Sequence, residues 1–286
     1  MKRTITALTL LALLLAACRG SGGPTPDPSA PDADTAVLRV DVRGGLVGPD
    51  FPFAQLPSFL LLGDGRVLQP GAIEAIFPGP LLAPLEQRRL SADGMRRILA
   101  EVAATGLFDT SREFRGAPVA DAPDTIFTLR TGDRVTVISI NALGLVDGPG
   151  LSAEEARAHQ ALGALSNRLM GLEQWLPASA WTHRGSQPYR PDAYRLLLRE
   201  TDANEREPTG IGFNLAAWPG RTGPDGGVAS AAFGGRCLVV SGDEAQRWTA
   251  AIGKANQLTR WTTGGRRYLV MPRPLLPGEP RECPGA

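Results

Sequence analysis

The sequence predicts an α+β fold of largely antiparallel sheets with helices packed on one face, arranged as two small units. Three observations carry this reading. Apolar or β-branched segments meet across the glycine-bearing turns Gly63-Asp64-Gly65 and Gly132-Asp133-Arg134, as hairpins do. Such hairpins outnumber strand–helix–strand crossovers, which disfavours a parallel doubly wound sheet. Both halves of the chain also read as strand, helix and then a pair of strands, without a residue-level repeat.

Taken in order, Val37 to Arg43 sets Leu38, Val40 and Val42 against Val37, Arg39, Asp41 and Arg43, the period of a strand with one buried face. Ser58 to Leu62 and Arg66 to Gln69 flank the first turn and form a hairpin. Pro70 to Pro84 is a loop rich in proline and glycine, and Leu85 to Leu90 is a short strand. Ser91 then caps a helix whose Met95, Ile98, Leu99 and Val102 share one face; Gly106 ends it, with Leu107 placed for the apolar contact of a glycine C-cap. Thr125 to Thr131 and Val135 to Asn141 make the second hairpin. The strongest helix opens on Ser152 and Glu155 in capping-box spacing. Its Ala158, Leu162, Leu165, Leu169, Leu172 and Leu176 form a stripe that packs on the protein's own sheet, and Pro177 stops it.

Pro177 to Pro191 reads as the connection between the units, so that residues 37–177 form the first and 178–286 the second. A strand from Tyr194 to Arg199 opens the second unit. Gly220 to Gly235 is a glycine-rich loop and Cys237 to Val240 a buried strand. Ser241 and Glu244 repeat the capping-box spacing before a helix carrying Ala245, Trp248 and Ile252. Strands at Arg260 to Thr263 and Tyr268 to Met271 follow. The tail beginning Pro272-Arg273-Pro274 is expected to leave the ladder, because proline has no N–H to donate.

The 30 basic and 29 acidic residues nearly balance, so nothing in the charge recruits nucleic acid. Of the three cysteines, Cys237 and Cys283 are read as a disulfide; a zinc site is the competitor, but no CxxC and no histidine beyond His183 completes it.

The N terminus carries the one family resemblance. Lys2 and Arg3 precede an apolar run from Ile5 to Ala17 that closes on Leu15-Ala16-Ala17-Cys18. The thirteen residues of this run reach about 20 Å, short of the ~30 Å hydrocarbon core of a bilayer. This stretch resembles the signal peptide and lipobox of bacterial lipoproteins. The resemblance implies removal of residues 1–17 and a lipid on Cys18. It places the mature chain in the bacterial cell envelope, anchored to the extracytoplasmic side of a membrane without spanning it. Residues 18–36 follow as a tether of Gly, Ser, Pro, Thr and Asp, too poor in apolar side chains to fold on its own.

Motifs of chemistry are missing. There is no GxSxG, no HExxH and no phosphate loop, and Gly210-Ile211-Gly212 lacks the third glycine of a dinucleotide site, Leu215 standing there instead. The aspartate-bearing turns at Asp121–Asp124 and Asp225 lack calcium-loop spacing. Any histidine mechanism must use His159, expected part-buried and hydrogen-bonded on its helix, or His183 in the connecting segment. No catalytic residue, metal or cofactor is nominated. Trp181, His183, Tyr189 and Trp218 are the candidate binding residues. The expectation is a membrane-tethered monomeric module that binds a small ligand or another envelope protein, or serves in assembly. An exported hydrolase with an unrecognised site and a transporter's solute-binding lipoprotein are the alternatives.

Overall fold

A computed structural model describes residues 31–48, 50–115, 119–145, 150–207 and 209–284. The signal segment, Cys18 and the tether as far as residue 30 lie outside the described residues. The first part of the chain runs β1 (Ala36–Gly44), α1 (Phe51–Ala54), β2 (Phe59–Leu62), β3 (Arg66–Pro70), β4 (Leu85–Leu90), α2 (Ala92–Ala104), β5 (Arg112–Phe114), β6 (Pro123–Thr131), β7 (Arg134–Asn141), α3 (Ala153–Met170), α4 (Leu172–Trp175) and β8 (Trp181–Pro188). The second runs β9 (Ala193–Thr201), β10 (Asn214–Ala217), β11 (Val228–Ala229), β12 (Arg236–Ser241), α5 (Asp243–Ile252), β13 (Thr259–Thr263) and β14 (Arg266–Pro274). Two sheets result, ordered β5-β7-β6-β1-β2-β3-β4-β8 and β10-β13-β14-β9-β12-β11. All neighbours are antiparallel except β5 beside β7 and β10 beside β13. The α+β reading with largely antiparallel sheets and one-sided helices is therefore correct.

Both faces of the larger sheet are covered where β2 runs through it. Phe59 and Leu61 face the helices, in a core shared with Ile98 and Val102 of α2 and with Ala158, Leu162, Leu165 and Leu169 of α3. Leu60 and Leu62 point the other way, against Leu68, Leu85 and Leu276. A strand buried on two sides has no water-facing residue to keep polar, so β2 reads Phe-Leu-Leu-Leu rather than alternating. Each such leucine withdrawn from water contributes about 1.5–3 kcal/mol. The turn before β3 needs Gly65, whose φ is +83° and whose added Cβ would stand 2.7 Å from the Leu90 carbonyl oxygen.

In the second sheet α5 lays Ala245, Trp248 and Ile252 on one face, against Tyr194, Leu196, Val240, Trp261 and Val270. The opposite face of this sheet packs on a segment from the first half: Phe53 of α1 meets Leu197, Cys237 and Phe233. Since Leu276 travels the other way into the first half, the two sheets exchange segments and form one body from Pro31 onward. Cys237 and Cys283 are bonded, with their Cα atoms 5.9 Å apart.

Several local expectations change. Residues 177–191 are more than a connection, because Trp181–Pro188 forms β8 at the edge of the first sheet, beside β4. Its side chains beyond Trp181 are exposed, so no apolar alternation announces it. The leucine helix breaks at Gly171 and resumes as α4, which keeps Leu172 and Leu176 in the core. The capping box at Ser241 does not form: Gly242 is the N-cap, and Glu244 instead accepts from Thr222 N at 2.9 Å and Thr222 Oγ1 at 3.1 Å. Pro272 and Pro274 stay in the ladder, opposite Leu196 and Tyr194. They are tolerated because β13 pairs only as far as Tyr268, which leaves an open edge where a missing N–H costs nothing. The tether ends sooner than residue 36. Thr35 N donates to Asp32 O, Gly63 N donates to Thr35 O, and Asp34 forms an ion pair with Arg66.

Candidate functional site

The proline and glycine loop between β3 and β4 builds the site. Gly71 N donates to Pro84 O at 2.8 Å, closing the loop at its base. Its far end is clipped to the turn after α5. Leu81 N donates to Ala255 O at 3.2 Å, Gln257 N to Gly79 O at 3.0 Å, and Gly79 N to Gln257 Oε1 at 3.0 Å. Held at both ends, the loop arches over a cleft of about 510 Å³. Ile73, Ile76 and Leu82 line it from the loop, Pro188 and Tyr189 from the end of β8, Tyr194 from β9, Ile252 from α5 and Pro274 from β14.

The lining is mostly apolar and its hydroxyls are already engaged. Tyr189 donates its hydroxyl to Leu275 O at 3.1 Å, and Tyr194 shares a hydrogen bond of 3.0 Å with Thr249. Burial pushes both phenols above their ordinary range, Tyr189 well above it, with the carboxylate of Asp192 adding to the effect there. Both remain neutral hydroxyls. Glu74 is the one charged side chain in the lining. No nucleophile stands beside a base here, and among the described residues no cluster of His, Cys, Asp and Glu could hold a metal ion. At the rim of the cleft Ile73 and Ile76 are 54 % and 59 % exposed, an apolar lip.

Of the four residues expected to bind, Tyr189 alone reaches this cleft. Trp181 is buried in the first core. His183 is exposed on β8, its Nε2 3.0 Å from Gln187 Nε2. Trp218 belongs to an edge-to-face aromatic cluster with Trp248 and Tyr268, and its indole N–H donates to Thr222 O at 2.9 Å. His159 is buried, but neither ring nitrogen has a hydrogen-bond partner among the described residues, contrary to expectation. Cys18 lies outside the described residues. The sequence did carry a signal for the cleft: Ile73, Ile76, Phe77, Leu81 and Leu82 crowd a segment that turn residues mark as a loop.

No protein family, curated protein or solved structure matches this chain. The site must be interpreted on its own chemistry. Among the described residues, no helix is long and apolar enough to cross a membrane.

Proposed function

We propose that the protein is a lipid-anchored module of the bacterial envelope that binds a small ligand through an apolar group seated in this cleft. The observation that carries the reading is the cleft itself. Its volume falls in the range of small-molecule sites, its lining is almost wholly apolar, and isoleucines stand exposed at its mouth. Its hydroxyls are engaged within the protein, so a ligand gains mainly by removing hydrocarbon from water. The lipobox supports the location, since a diacylated Cys18 would hold the module at a membrane surface.

Two measurements test this. In the first, the purified protein is titrated with N-phenyl-1-naphthylamine, an apolar probe that brightens when it leaves water. Ile73→Asp combined with Ile76→Asp should weaken binding at least ten-fold while preserving the circular dichroism spectrum, because both side chains are exposed. Unchanged affinity would sink the cleft as the site. In the second, Cys18→Ser should block processing or release the protein from the membrane fraction. A mutant processed and fractionated like its parent would remove the anchor.

A further inference from the structure

The geometry points to a second ligand site, for a linear dianion, in a separate concavity along α5. This hollow, about 430 Å³, lies between the helix and the strands β10 and β13, and its lining includes Asn214, Arg247, Ala250, Ala251, Lys254 and Trp261. Arg247 and Lys254 are both exposed, and neither side chain has an ion pair or hydrogen bond with another described residue. Most arginines of the chain are engaged: Arg199 with Asp50, Arg260 with Glu205 and Arg273 with Glu279, for example. Among the described residues Arg130, Arg157, Arg190 and Arg221 also lack a side-chain partner, but none of them lines this hollow. Two unpaired cations facing one hollow are a different arrangement.

Their spacing defines the ligand. Five residues of α5 beyond Arg247 and two of the turn that closes it, where Lys254 N donates to Ala251 O, separate them, which is about 10 Å along the axis. Between them Ala250 and Ala251 form a low apolar floor, with Trp261 beneath. Asp243, one turn before Arg247, does not line the hollow and makes no ion pair with it. The partial negative charge of the helix C terminus opposes an anion here, and Lys254 offsets it. The complementary molecule has two anionic groups about 10 Å apart joined by hydrocarbon, as in a long α,ω-dicarboxylate. A monoanion of the same length leaves one cation unused.

The test uses 1,10-decanedioate and decanoate in calorimetric titrations at low ionic strength. The protein carries Ile73→Asp and Ile76→Asp, so that the apolar cleft does not compete. Decanedioate is expected to bind about five-fold more tightly than decanoate, the gain of one further charge contact near 4 Å in water. Arg247→Gln and Lys254→Gln should each bring the dianion to the level of decanoate, and 0.5 M salt should do the same. Both side chains are exposed, so the variants should keep the parent circular dichroism. Equal binding of the two acids, no binding of either, or a dianion affinity indifferent to both substitutions would overturn the site. Since the cleft is disabled throughout, these outcomes leave the reading of that cleft untouched.

Discussion

Replacing Glu279 by Gln should destabilise the protein by about 3 kcal/mol at neutral pH. Glu279 follows β14 in the tail. It accepts from Arg273 Nη1 at 2.6 Å and Nη2 at 2.7 Å, from Arg39 Nη1 at 3.1 Å and from Leu276 N at 3.0 Å. One carboxylate thus ties β1 of the first sheet to β14 of the second. Burial works against its charge, but the hydrogen bonds and charge of Arg273, the Leu276 N–H and Arg39 outweigh it and hold the carboxyl at about 2, against an ordinary 4.5. That difference corresponds to about 3 kcal/mol of stability. A glutamine of the same shape would leave Arg273, only 7 % exposed, with no counter-charge, a loss measured at roughly 3–5 kcal/mol for buried pairs elsewhere. The assay is urea denaturation of parent and variant from pH 7 to pH 2.5. Because the folded-state value is depressed, the parent's advantage is complete above about pH 5 and shrinks as pH falls through 4.5 toward 2. Below pH 3 less than half should remain. A difference under 1 kcal/mol at pH 7, or one that stays constant down to pH 2.5, would refute the reasoning.

Two further outcomes follow from the same packing. Cys237→Ser with Cys283→Ser should lower stability by up to about 4 kcal/mol on loop entropy, and the heat transition should remain single, because Leu276 and Phe53 lock each sheet to the other. Two separate calorimetric peaks would contradict the interlock. His159→Leu should leave stability unchanged or raise it by up to about 2 kcal/mol, since it removes a buried imidazole without a partner among the described residues; a loss above 1 kcal/mol in urea would show that the ring makes a bond.

The elements that sequence located well have strong local causes. Ser91 accepts from Gly94 N, and the Ser152–Glu155 capping box forms as its spacing implies. What sequence missed has non-local causes. β5, β10 and β11 are two to four residues long and exist because a neighbour supplies the ladder, which no property of Arg112–Phe114 or Val228–Ala229 encodes. Gly94 looks like a weak spot in a helix until the Ala180 carbonyl is seen where its Cβ would be, 2.2 Å away. Ser241 failed as a cap because Thr222, nineteen positions earlier, claims Glu244. At the candidate site Tyr189 was found by its aromaticity. Tyr194 reads only as the start of a strand and Ile252 as part of a helix's apolar face, and only the fold brings them beside Ile73 and Ile76.

The exchange of segments between the sheets also fixes when the protein can finish folding. Leu60, Leu62 and Leu68 are synthesised early, yet the leucine that covers them is residue 276. At about 5–20 residues per second, some ten to forty seconds of translation separate the two. Phe53 of α1 waits almost as long for Leu197 and Cys237. The nascent chain therefore carries apolar surface on β2 and β3 without its Leu276 cover until that residue has been made, and this closure rests on contacts of high sequence separation. For a polypeptide proposed to leave the cytoplasm before it works, that delay postpones the joining of the two sheets until residue 276 has been made.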